Sequence, residues 1–111
     1  MAITYLNIIP RKQAEAAQTV QYTAVNCTTI IDKFTVTNTT ASNATFAVNL
    51  VASGGTAGDS NLVLAPTTIP PGRTYTCPEL VGQTLQSGGF ISTLAGTASA
   101  LTISASGREI V

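Results

Sequence analysis

The sequence predicts an all-β domain, a single antiparallel β-sandwich or jelly roll of about seven to eight strands. Threonine, which is β-branched and favours strands, accounts for 19 of the 111 residues. Apolar side chains recur at every second position, and clusters of Gly, Pro, Asn and Ser interrupt them at roughly 8–12-residue spacing. The length fits one domain.

Each predicted strand is a run of alternating or continuous apolar residues between turn residues. The only stretch compatible with a helix is 13–18, which is too short for more than a turn or two. Pro10 is expected to break the first run and Pro66 to end the run that begins at Leu62. Nine such runs occur, from which about seven to eight strands are expected: 3–9, 19–25, 28–38, 44–52, 62–64, 74–77, 83–86, 90–94 and 101–106.

The run 28–38 has the clearest alternation, which places Ile30, Phe34 and Val36 on one face. Asp32 falls on that same apolar face, where a lone carboxylate is costly. We therefore expect a strand end or a β-bulge at this residue.

The N-terminal segment 1–17 is predicted to be an arm or an edge strand beside a sandwich formed by residues 18–111. The run 3–9 is apolar on both faces, so it is either central in a sheet or covered by a neighbour, and its place at the N-terminus favours contact with another subunit. Deletion of residues 1–12 is then expected to abolish attachment of the chain to its partner and to leave the sandwich folded. The candidate contact residues are Ile3, Tyr5, Leu6, Ile8, Ile9, Arg11 and Lys12.

Charge and composition argue against several functional classes. Five basic and five acidic residues give a net charge of zero, which provides no basic surface for nucleic acid and no attraction to an anionic membrane. The chain has no histidine, the usual general base and the commonest metal ligand. We expect no catalytic residue, no metal and no cofactor. Two carboxylates brought together by the fold, as in a glycosidase, remain the enzymatic alternative.

The remaining polar surface must consist of hydroxyls and amides, because only 9% of the residues are charged. Such a chain is expected to cover part of its surface either with copies of itself, as a dimer, trimer or ring, or with another protein. The alternative is a soluble monomer coated with Thr, Ser and Asn side chains. Cys27 and Cys77 are expected to be buried thiols, with a single disulfide as the alternative. No secretion signal is evident at the start of the sequence, so synthesis in the cytoplasm is expected.

Four stretches together resemble a family of small β-sandwich virion proteins of tailed bacteriophages and prophages. The resemblance covers residues 18–111. The stretches are 30–38 (IIDKFTVTN), 48–55 (VNLVASGG), 71–80 (PGRTYTCPEL) and 101–110 (LTISASGREI).

The resemblance implies a non-enzymatic accessory protein of the virion, made in the cytoplasm of the bacterial host. Its expected role is capsid decoration, in which a cement protein binds and stabilises the lattice of the major capsid protein. The alternatives are a structural component of the neck or tail and, in a different class, a module that binds the host surface or a glycan.

Overall fold

The computed structural model describes all 111 residues, which form two antiparallel sheets packed face to face. This confirms the predicted fold class. The only helical element is a 3-10 turn at Asp59–Asn61, and the short helix-compatible stretch 13–18 forms no helix. No helix is long and apolar enough to cross a bilayer. The strands are β1 (Ile3–Gln13), β2 (Thr19–Thr23), β3 (Thr28–Asn38), β4 (Ala44–Val51), β5 (Leu62–Ile69), β6 (Thr74–Tyr75), β7 (Thr84–Leu85), β8 (Phe90–Ala95) and β9 (Leu101–Ile110).

The strand order is that of a jelly roll. Sheet I has the order β1-β9-β3-β6, with the two-residue β7 also pairing with β3, and sheet II has the order β2-β8-β4-β5. When the short β7 is left out, the remaining eight strands have the order and the connections between sheets of an eight-stranded jelly roll. This connectivity places the last strand, β9, between β1 and β3.

The core lies between the two sheets and comprises 22 buried residues. Phe34 of sheet I and Phe46 of sheet II are both fully buried, with their ring centroids 6.1 Å apart. A tilted aromatic pair of this kind is a favourable packing geometry. Phe34 and Val36, which were expected to share one apolar face, both point into this core.

A β-bulge in β3 lies at Asp32, as expected. The pairing with β9 shifts by one residue between Ile31 and Lys33, so Asp32 has no partner of its own in the ladder. The bulge changes the parity of the strand, so that Ile31 is buried and Ile30 points away from the core. The placement of Ile30 on the Phe34 face is therefore wrong.

β1 is an edge strand of sheet I and contributes to the core of this chain. Two bulges interrupt its pairing with β9, one between Leu6 and Ile9 and the other between Ile9 and Lys12. Because of the first bulge, the consecutive residues Ile8 and Ile9 are both buried, 4% and 1% exposed. This burial reverses the expectation that residues 1–12 are dispensable for folding.

Both prolines that were expected to end strands lie within strands. β1 continues past Pro10 to Gln13, and β5 continues past Pro66 to Ile69. Proline is tolerated in an edge strand, where its missing N–H faces away from the ladder or coincides with a bulge. Each of the two strands lies at a sheet edge, with a register shift beside the proline.

Candidate interaction surface

The outer face of sheet I is the surface of β1, β9 and β3 that points away from sheet II. A shallow depression of about 380 Å³ lies on it, and none of the side chains around it is hydrophobic. We call this region the polar groove. Strict alternation in β9 places its hydroxyl side chains outward and its apolar side chains inward. The groove is lined by Asn7, Arg11, Lys33, Thr35, Thr37, Thr102, Ser104 and Ser106.

Two cations flank the polar groove. Arg11 extends from β1 and Lys33 from β3, and the hydroxyl-bearing β9 lies between them. Because neighbouring strands are about 4.8 Å apart, the two strands that carry these cations are separated by about 10 Å. Neither side chain forms a salt bridge within the chain, and no carboxylate lines the groove. Both charges are therefore available to a ligand or partner.

The opposite end of the same face is apolar. Tyr5 is 74% exposed and Ile3 is 44% exposed, and they lie across from Arg108 and Ile110 in the β1–β9 ladder. Ile30 of β3 is the partner of Arg108 on its other side. We call Ile3, Tyr5, Ile30 and Ile110 the apolar end.

Within the apolar end, Arg108 lies between Tyr5 and Ile30 in the sheet and forms an ion pair with Asp32. The Arg108 guanidinium donates three hydrogen bonds to Asp32, two from Nε at 3.1 Å and one from Nη2 at 2.9 Å. Asp32 stabilises the charged guanidinium and raises the pKa of Arg108 above its ordinary value. The bulge at Asp32 is what brings this carboxylate to the outer face.

The free edge of β1 carries unpaired backbone groups. Ala2 and Val111 exchange both backbone hydrogen bonds, at 3.2 and 2.9 Å. In an antiparallel ladder such pairs alternate with pairs that do not exchange hydrogen bonds. Counting from Ala2, the pairs Ile3–Ile110 and Tyr5–Arg108 are of the kind that exchange no hydrogen bonds. The N–H and C=O of Ile3 and Tyr5 therefore point away from β9, toward solvent.

The structure places the predicted contact residues in three different environments. Ile3, Tyr5 and Arg11 are exposed and Leu6 is half-buried. The Lys12 ammonium is bound to Glu15 at 2.9 Å, and this interaction lowers the pKa of Glu15. Prediction of Ile8 and Ile9 as partner contacts is wrong, because the core of this chain buries both.

Lys33 and the hydroxyls of β3 and β9 were not among the predicted contact residues. The sequence alone indicates the outward alternation of Thr102, Ser104 and Ser106, which is the available signal. It does not indicate that β9 lies between β1 and β3, and this pairing is what brings Arg11 and Lys33 to one groove.

The carboxylates bind separate partners. The Tyr75 hydroxyl donates to both Glu79 oxygens at 2.7 Å, which raises the pKa of Tyr75 to about 12 and lowers that of Glu79. The Tyr22 hydroxyl donates to Glu109, and burial together with this bond raises the pKa of Tyr22. The structure contains no group of three His, Cys, Asp or Glu residues that could hold a metal ion.

The two cysteines are free thiols, and both are buried as expected. Burial raises the pKa of Cys77 to about 12, with a smaller contribution from the charge of Glu79. A thiol with so high a pKa is protonated at neutral pH and is a poor nucleophile.

Stability is expected to fall with rising pH because of Cys77. The unfolded thiol ionises near pH 8.5, whereas the folded thiol holds its proton to about 12. The unfolded state therefore binds fewer protons in this window, and Cys77 should lower the free energy of unfolding by up to about 1.4 kcal/mol per pH unit between about pH 9 and 10. At higher pH the raised pKa values of Tyr75 and Tyr22 add to the decline. Urea titrations at each pH measure this decline. Cys77→Ala should reduce the slope.

Fold and surface together define the class, a jelly-roll domain whose candidate binding groups lie on an open sheet face. Comparisons with models of known protein families, with curated proteins and with solved structures give no match.

Proposed function

We propose that this chain is a non-enzymatic structural protein of a tailed-phage virion, a capsid decoration protein that binds the lattice of the major capsid protein. The observation that carries the proposal is the outer face of sheet I, which combines two unpaired cations, a row of hydroxyls and exposed apolar side chains. Such a face suits a broad partner surface better than a small substrate.

Two further features support this role. Jelly rolls are common in viral capsids, and this analogy of fold supports a role in a capsid. In addition, Glu15, Asp32, Glu79 and Glu109 are each bound to a different partner within the chain. A paired general acid and base needs two carboxylates directed at one substrate. The resemblance of residues 18–111 to virion accessory proteins points to the same role.

The polar groove is proposed to meet acidic or hydroxyl-bearing groups of the capsid. Each exposed charge contact is worth about 0.2–1 kcal/mol. Removal of both cations in Arg11→Ala/Lys33→Ala should therefore weaken attachment about two- to thirtyfold, more at low salt than at high salt. Arg73→Ala is the matched control, because Arg73 is exposed, forms no salt bridge and does not line the groove.

The measurement has two parts. Gel densitometry of purified particles gives the number of copies per virion, and hundreds of copies are expected for a head protein. Adding each variant back to particles that lack the protein then gives its occupancy. The proposal fails if the chain is absent from particles, or if the double variant and Arg73→Ala bind equally well.

Two alternatives are separated by the same data. Six or twelve copies per particle would indicate a neck or tail component. A host-surface or glycan-binding module is favoured by one observation, namely that the exposed ring of Tyr5 adjoins a second depression of about 400 Å³ that includes Asn7, Asp32 and Ser106. Saturable binding to host cells that Tyr5→Ala abolishes would support that role.

A further inference from the structure

The four outer edges of the two sheets differ in how well they are protected from pairing with another strand. β5 carries Pro66 with register shifts, and β2 has five residues with a shift between Val20 and Tyr22. The edge beside β3 is occupied by the two-residue β6 and β7. Short strands, prolines and bulges are the devices by which proteins protect a sheet edge.

The first half of β1 has none of these devices. Residues 3–7 (ITYLN) contain no charge and no proline, and the first bulge comes only after Leu6. The protective features of this strand, Pro10, Arg11 and Lys12, are confined to its second half. An exposed, regular and uncharged edge of this kind is a template for another β-strand.

We propose that a second copy of this chain binds this edge by antiparallel β1–β1 pairing, with Tyr5 on the two-fold axis. The N–H and C=O of Tyr5 point outward, so the two Tyr5 residues exchange both hydrogen bonds. Ile3 of each copy lies opposite Asn7 of the other, and sheet I becomes continuous through both molecules.

A second copy fits this edge because the pairing is self-complementary. With Tyr5 on the axis, residues 3–7 pair with residues 7–3 of the other copy, and this range contains no like charges to repel each other. Arg11 and Lys12 of each copy lie outside the paired residues. The pairing also sets the apolar ends side by side, so that the exposed Tyr5 and Ile3 side chains gain apolar neighbours.

This inference is independent of the proposed virion role. The hydrogen bonds form at the edge of sheet I and leave the polar groove on its outer face accessible, with Asn7 the one residue that belongs to both surfaces. A dimer that does not bind capsids would refute the proposed function and support the pairing. A monomer that binds capsids would support the proposed function and refute the pairing.

The first test is the mass of the chain in solution at 5–200 µM by light scattering after gel filtration. The expected result is a concentration-dependent dimer of about 23 kDa, twice the 11.4 kDa of one chain. Tyr5→Pro removes an outward N–H that the β1–β9 ladder does not use, and proline is tolerated at a sheet edge. This variant should remain folded by circular dichroism and be monomeric, whereas Tyr5→Phe should dimerise like the parent chain.

Cross-linking tests the register. Residues in such a hydrogen-bonded pair have Cα atoms about 5.5 Å apart, within the range of a disulfide. Under mild oxidation, Tyr5→Cys should form a covalent dimer at least tenfold faster than Thr74→Cys, which places an exposed thiol at the opposite edge of sheet I. The proposal is overturned by a monomer at 200 µM, by a dimer that persists in Tyr5→Pro, or by equal cross-linking at the two edges.

Discussion

Deletion of residues 1–12 is expected to abolish cooperative folding. The deletion removes Ile8 and Ile9 from the core and uncovers one whole side of β9. Each buried isoleucine contributes about 2–5 kcal/mol relative to alanine, and a domain of this size is stable by only about 5–15 kcal/mol in total. Thermal unfolding followed by circular dichroism should show no cooperative transition.

The matched control removes only the outward side chains of the same segment. Ile3→Ser/Tyr5→Ser leaves the core residues of β1 in place, and its free energy of unfolding should differ from that of the parent by less than about 1 kcal/mol. A truncated chain that keeps a sharp transition close to that of the intact protein would show that β1 is dispensable, as expected of an arm.

Substitution of Gly107 is expected to have the second-largest effect. Gly107 is buried in β9, opposite Leu6 of β1 and Ile31 of β3. An added Cβ would lie 2.4 Å from the carbonyl oxygen of Ile30 and 3.3 Å from Cδ1 of Ile8. The oxygen belongs to the backbone of a paired strand, so the ladder itself must move. Gly107→Ala should destabilise the protein by about 3 kcal/mol or more and lower its Tm by about 10–20 °C.

Gly58→Ala provides the comparison. Gly58 has extended backbone angles, with φ at −169°, and an added Cβ would meet nothing closer than the Thr56 oxygen at 4.0 Å. The free energy of unfolding of the Gly58→Ala variant should lie within about 1 kcal/mol of the parent value. If both alanine variants melt at the same temperature, the close approach of Ile30 to Gly107 does not constrain the fold.

The fold class and most strand positions are predictable from the sequence because they depend on alternation, which is a local property. The position of Asp32 even predicts a bulge, since a carboxylate interrupts an otherwise apolar face. The consequence for Ile30 is harder to predict. Alternation assigns faces only while the register is regular, and one extra residue exchanges the two faces of everything before it.

The errors in β1 have the same physical origin. Ile8 and Ile9 are neighbours in sequence, so alternation assigns them to opposite faces, but a bulge turns both inward. Pro10 is a strand breaker in a central strand and is harmless at an edge. Whether a strand lies at an edge depends on pairing with residues about a hundred positions away, and a single sequence contains little information about such pairing.

The candidate site is less predictable than the fold, because it is assembled across strands. Ile3, Tyr5 and Arg11 can be identified from the N-terminal segment alone. Lys33 joins Arg11 only because β9 lies between their strands. A groove built from three strands that are distant in sequence becomes visible only when the sheet order is known.

The central position of β9 also determines when the molecule can fold. β1 leaves the ribosome before the other strands of this domain, yet its ladder partner is the strand of the domain that is synthesised last. Until then, β1 and β3 lack the strand that joins them, and their apolar side chains are uncovered in the nascent chain. Pairing between such distant segments is slow and leaves the chain exposed to aggregation. Chaperones are therefore expected to act on the nascent chain, and sheet I to close only after translation has passed residue 110.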